Sequence, residues 1–216
     1  MSYITAVQEV AYLVGVAPPT AIGDPAPVAQ RFKRFADRAG QEIGRRADWT
    51  RMMRSATFTG DGATNTWPLP DGFDRLQQGN PVYVVGGDFL RGATSPDEWI
   101  LVQKLPQAVG GPPRVFTMQA AGAGQVASFK VYPTPGPAVA ISFNYMAQRF
   151  IVGSTTEHFT LDADETYFPE RLLILNMVWR WRRAQGAPYD DELKEFEAEL
   201  MSAASADAGL RPPQAA

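Results

Sequence analysis

Residues 168–200 read FPERLLILNMVWRWRRAQGAPYDDELKEFEAEL. Leu172, Leu173, Ile174, Leu175, Met177, Val178, Trp179 and Trp181 leave almost no polar face, so a helix here must be covered on most sides by other elements. Gly186 and Pro188 end it: glycine tolerates the left-handed conformation of a helix terminus, and proline cannot continue the hydrogen-bond ladder. Leu193, Phe196 and Leu200 then mark one face of an acidic helix. The pair reads as an αα-hairpin whose apolar member is the centre of a helical core.

Working outward, Asp162 followed by Glu165 has the form of a capping box, with Pro169 tolerable in the first turns of the apolar helix. Far upstream, Val28, Phe32, Phe35, Ala39, Ile43 and Ala47 recur at steps of three and four and predict a long amphipathic helix. Ile4, Val7, Ala11 and Val14 do the same for a first helix, capped by Ser2 and ending near Gly15. Between these helices the pattern changes. SATFT, TWPLP, PVYVV, EWILVQ, RVFTMQ, SFKVYP and AVAISFNYMAQ are short β-type runs separated by turn signals, and Gly60-Asp61-Gly62 resembles a hairpin turn. The expected fold class is α+β, a helical bundle of N-terminal helices and the C-terminal αα-hairpin, with an inserted antiparallel β domain. Its expected domains are residues 1–54 with 160–206 for the bundle, 55–159 for the insertion, and 207–216 as a tail. The segment SAASADAGLRPPQAA has too little apolar surface to order itself.

Composition narrows the function. The 216 residues are 45% hydrophobic and 20% charged, ordinary values for a globular chain, and no run of about 18 apolar residues offers a membrane span. The N-terminus has neither the basic region nor the apolar run of a signal peptide. With no cysteine there are no disulfides, thiolate metal sites or cysteine nucleophiles, which fits assembly in a reducing cytoplasm. The net charge of −3 argues against nonspecific nucleic-acid binding, but it is unevenly spread. Residues 31–54 carry a net +5, and residues 189–216 a net −5.

Candidate chemistry is sparse. A single histidine, His158, supports no histidine metal cluster and reads as a loop contact rather than a base. Asp162, Asp164 and Glu165 are the residues a carboxylate-dependent hydrolase, for instance of peptidoglycan, would use, but a helix start accounts for acids at that place. No phosphate loop, nucleophile elbow or H-E-x-x-H motif occurs. Arg180, Arg182 and Arg183 interleave with Trp179 and Trp181, a composition also met in single-strand binders. Successive residues of a helix diverge by about 100°, however, so the arginines are better placed to pair with carboxylates of the acidic helix or of a neighbouring subunit. No catalytic residue, cofactor or metal is expected, and a DNA-binding module or a hydrolase remain the weaker alternatives.

Three passages, in this order, carry a family resemblance: EIGRRADWTRMMR (42–54) running into ATFTGDGATNTWPLPDGFDRL (56–76), then FKVYPTPGPAVAISFNYMAQ (129–148), then the opening stretch. Together they resemble the head-to-tail adaptor, or head-completion, proteins of tailed bacteriophages, particularly those of short-tailed phages. The resemblance implies a structural virion protein of the neck, a ring of about twelve copies under the portal ring that extends the DNA channel and offers a platform to the tail. Its partners would be the portal, a tail or nozzle protein, further copies of itself, and double-stranded DNA passing without sequence-specific contact; no membrane is involved. A tail-side completion protein is the nearest alternative. Within that reading, Leu193, Phe196, Leu200 and Leu210 are expected to meet the portal. Arg38, Arg45, Arg46, Arg180 and Arg183 would meet Asp190, Asp191, Glu195 and Glu199 between subunits.

Overall fold

The computed structural model describes residues 2–77, 79, 81–93, 95–104, 113–120 and 127–209. The chain divides into two units: Met1–Met53 with Ala147–Ala216, and Arg54–Met146. In chain order the helices are α1 (Tyr3–Leu13), α2 (Pro27–Arg46), α3 (Pro96–Lys104), α4 (Glu170–Ala184) and α5 (Asp190–Asp207). The strands are β1 (Met53–Thr59), β2 (Thr66–Pro68), β3 (Phe73–Leu76), β4 (Val82–Val84), β5 (Phe89–Gly92), β6 (Val115–Gln119), β7 (Ser128–Tyr132) and β8 (Ala140–Ala147). No helix among the described residues is long and apolar enough to cross a membrane.

The helical unit is organised by α4, in which Leu172, Leu173, Ile174, Met177, Val178, Trp179 and Trp181 are all buried, together with Asn176. α1 buries Tyr3, Ala6, Val7, Val10 and Ala11, a face rotated by one residue from the expected stripe. α2 buries Ala29, Phe32, Ala36, Ala39, Gly40, Ile43 and Gly44. Phe32 stacks on Trp181 with ring centroids 4.7 Å apart. Trp49, just past α2, is buried against Phe168 and donates its indole N–H to the Ile43 carbonyl at 2.9 Å.

The start of α4 differs from expectation. Pro169 is the residue before its first turn, and Asp162 and Glu165 form no capping box. Asp162 accepts the Ile22 N–H at 2.5 Å and so ties down the loop between α1 and α2. Asp164 accepts the N–H groups of Thr160 (2.7 Å) and Leu161 (2.9 Å), which makes it a turn residue. Helix α5 runs on through the alanine-rich Ser202–Asp207, where the Asp207 carboxylate accepts the Thr50 N–H at 2.6 Å and its hydroxyl at 3.0 Å. Alanine has the highest helix propensity, and this contact anchors the last turn.

In the second unit the eight strands form one sheet, ordered β1-β8-β4-β5-β6-β7-β2, with β3 also on β8. The two ends of this path, β1 and β2, are consecutive in the chain, and Phe58 of β1 stacks on Trp67 of β2 at 5.5 Å. The sheet is therefore nearly closed, like a barrel. Alternation in β7 turns Phe129 and Val131 inward, and β8 adds Ile141, Phe143 and Tyr145 to the same core. Phe129 lies among Phe58, Phe116 and Phe143 at centroid separations of 5.0–5.6 Å. Such ring contacts stabilise beyond simple area burial.

A helical bundle with an inserted antiparallel β domain does not describe this chain. It is a mixed α/β fold in which a large, nearly closed sheet is a principal part, and five helices are present among the described residues. The sheet is not purely antiparallel, because β5 and β6 pair in parallel, Arg91 opposite Val115 and Gly92 opposite Phe116. A parallel pair needs a crossover, and α3 lies on it. The run EWILVQ, expected as a strand, is in that helix. Ser95 Oγ accepts the Glu98 N–H at 3.1 Å, Pro96 opens the first turn, and Asp97 and Glu98 face the positive end of the helix. Trp99 and Val102 then bury against Val115. The Gly60–Gly62 turn is not a hairpin, since β1 and β2 do not pair. Asp61 accepts hydrogen bonds from the Ala63 and Thr64 N–H groups and the Thr64 hydroxyl at 2.6–2.8 Å, which draw its pKa down to about 2. Gly62 supplies the positive φ of 84° that this turn requires.

The packing of α2 gives a prediction opposite in sign to helix propensity. Gly→Ala inside a helix is ordinarily favourable by about 1 kcal/mol, but a Cβ on Gly40 would overlap the ring of buried Phe150. Gly40→Ala is expected to lower stability by about 1–3 kcal/mol in urea unfolding; a gain would show that α2 and Phe150 are not packed in this way.

Candidate interaction surfaces

Several arginines of the helical unit are closed on carboxylates of the same chain, while others have their side chains exposed. Arg180 of α4 donates to Asn176 Oδ1 at 2.6 Å and to Glu42 of α2, and Asn176 donates to the same Glu42 oxygen at 3.2 Å. The buried amide thus joins both ends of an ion pair. Arg46 makes a two-pronged bond to Glu197 of α5, 2.6 and 2.5 Å, which raises the guanidinium pKa and lowers that of the carboxyl group. Arg171 reaches Glu195 at 3.0 Å and Glu199 at 3.6 Å, and Arg182 reaches Glu192 at 2.7 Å. These pairs tie α4 and α2 to the acidic helix.

The residues expected to meet the portal are placed unequally. Phe196 is fully buried and Leu200 is 4% exposed. Both hold α5 on its own unit, and the Arg46 guanidinium lies 5.8 Å from the Phe196 ring centroid. Leu193 is half-buried, while Leu210 lies outside the described residues. Of the residues expected between subunits, Arg45, Arg46, Arg180, Glu195 and Glu199 have partners inside the chain. Arg183 is exposed with its guanidinium 5.9 Å from the Tyr189 ring centroid. Arg38, Arg45, Asp190 and Asp191 are exposed, Asp191 lying 3.4 Å from Lys194.

No reacting constellation is assembled from the other candidates. His158 is exposed, with Nδ1 3.4 Å from Asp37 Oδ2. Burial raises the Asp37 pKa, opposed by the Phe159 N–H that its carboxylate accepts at 2.9 Å and by His158. The pair anchors the loop before α4 to α2. Among the described residues no group of three or more histidines and acids is placed to hold a metal. Trp179 and Trp181 are each only 6% exposed, so they offer no platform for stacking bases.

Two of the hollows on the described surface of the helical unit bear on assembly. One, of about 530 Å³, has an apolar floor of Leu13, Ile174, Leu175 and Val178 under a rim that includes the Arg182–Glu192 pair. The other, of about 770 Å³, lies between α2 and the last turn of α4, with Arg31, Arg34 and Arg38 around Phe35 and Trp181. Sequence reasoning passed over Arg31 and Arg34 as site residues. Their signal was available, since positions 31, 34 and 38 lie three, four and seven residues apart and so share one helix face.

The chain uses its buried aromatic rings and most of these ion pairs for its own packing. It belongs to the SU10 adaptor protein family, whose model matches residues 1–215. This is a phage adaptor family, and the chain is accordingly a structural component of the virion at the head–tail junction. No curated protein matches the chain.

The Glu42–Asn176–Arg180 network yields a testable coupling. Removing one partner leaves the other charge half-buried, so Glu42→Ala should cost about 2–3 kcal/mol in urea unfolding. Glu42→Met combined with Arg180→Met should cost at least about 1 kcal/mol less than the sum of the two single losses, with a residual loss because buried Asn176 then lacks both partners. Additive losses would mean that the two side chains do not interact.

Proposed function

We propose that the chain is a head-to-tail adaptor that assembles as a closed ring of about twelve copies beneath the portal, extends the channel for DNA and presents the platform on which the tail is built. The observation that carries this reading is the family match, which runs from residue 1 to residue 215 and so includes both units. The physical features agree with the role. A ring of identical subunits joins two different surfaces of each copy, and the chain keeps opposite charges on different helices. Its net charge of −3 suits a conduit along which DNA slides without being gripped.

The portal contact belongs, in this reading, to the C-terminal end. Phe196 and Leu200 hold α5 on its unit, which leaves as candidates Leu210, outside the described residues, together with half-buried Leu193 and the exposed Met201. Loss of all of α5 would remove part of the core and confound any binding assay.

Sedimentation of the chain with the portal ring tests both statements. The full chain is expected to co-sediment as a saturating complex of many copies. Deletion of residues 208–216 should leave the fold intact by circular dichroism and weaken that complex at least about tenfold in Kd. A full chain that stays monomeric beside the portal would refute the adaptor position. A truncated chain that binds undiminished would move the portal contact elsewhere.

A further inference from the structure

Arg31, Arg34 and Arg38 are exposed on one face of α2, and the surface beside them is hollowed rather than convex. Arg31 lies over Trp181, 5.6 Å from the ring centroid. Arg34 and Arg38 take part in no ion pair among the described residues, unlike Arg46 on the same helix. Phe35, set edge-on to Trp181 at 6.4 Å, provides the apolar wall, and Gln185 closes the far side. A groove with an aromatic wall and guanidinium groups along its rim suits a segment that is both anionic and partly apolar.

We propose that this groove receives the first turn of α5 from a neighbouring copy, with Asp190 and Asp191 meeting Arg34 and Arg38. The inference rests on the ring reading and specifies its subunit contact. Charge complementarity selects the occupant. Along α5, Glu192, Glu195, Glu197 and Glu199 pair with arginines of their own chain, and Asp207 is taken by Thr50. Asp190 has no such partner among the described residues. Asp191 is held only by Lys194 at 3.4 Å, with a carboxylate side chain 95% exposed. The outward acids thus stand at one helix start and the outward arginines on another helix, the two-surface arrangement that a head-to-tail contact demands. Duplex DNA is a poorer occupant. Three arginines over about 10 Å of helix make a short track, and the chain as a whole is acidic.

The absence of cysteine makes the test direct. Two single variants, Arg34→Cys and Asp191→Cys, one carrying a mass tag, are mixed with the portal ring and treated with a short bismaleimide. Links between position 34 of one chain and 191 of the other should exceed both like-with-like links roughly tenfold. Statistical proportions would overturn the groove assignment. The exchange of charge provides a second reading: Arg34→Glu with Arg38→Glu should abolish multi-subunit complexes, and Asp190→Arg with Asp191→Arg in the same chain should restore them. If complexes form on the portal while the links stay statistical, the ring stands and the groove falls; if no complex forms, both fall. Salt-dependent duplex binding that the Glu variants lose, with statistical links, would overturn the proposal in favour of nucleic acid.

Discussion

The burial of α4 is the constraint on which the helical unit depends. A helix whose apolar residues point in nearly every direction cannot lie on a surface, so α1, α2 and α5 must each cover part of it. The places where polar atoms leave this helix are then decided. Asn176 is fully buried and can be accommodated only because Glu42 and Arg180 satisfy its amide. Arg171 and Arg182 emerge where α5 has carboxylates to receive them. Packing and charge placement are one problem here.

That coupling explains how much could be read beforehand. The helices α2, α4 and α5 are legible because a stripe such as Phe32, Ala39 and Ile43 repeats over many turns. EWILVQ is ambiguous on apolar content alone, and only Ser95-Pro96-Asp97 before it indicates a helix. The sheet was the least legible part. Pairings such as Trp67 opposite Phe129 join residues far apart in the chain, and nothing local marks which strand will be the neighbour. The parallel β5–β6 pair and the near closure of the sheet are consequences of those distant pairings. Asp162 and Glu165 mimicked a capping box because the spacing of acids does not reveal that Asp162 is used by Ile22, 140 residues away.

The candidate surfaces show the same division. Leu193, Phe196 and Leu200 correctly mark the apolar face of α5, but spacing cannot say whether the cover is the chain itself or a partner. For Phe196 and Leu200 the cover is the chain's own core. Arginine content likewise suggests pairing without naming the partner, and the distinction between Arg46, closed on Glu197, and Arg34, turned outward, exists only in three dimensions. The aromatic and ionic contacts are made within the chain, and Arg34 and Arg38 are left facing outward.

Native-state hydrogen exchange of the free chain tests most directly whether α4 organises its unit. The account predicts that amides from Leu172 to Trp181 exchange only through global unfolding of the helical unit, while α1 and the end of α5 open at lower free energy. Exchange of α4 through a local opening, with α1 and α2 still protected, would contradict it.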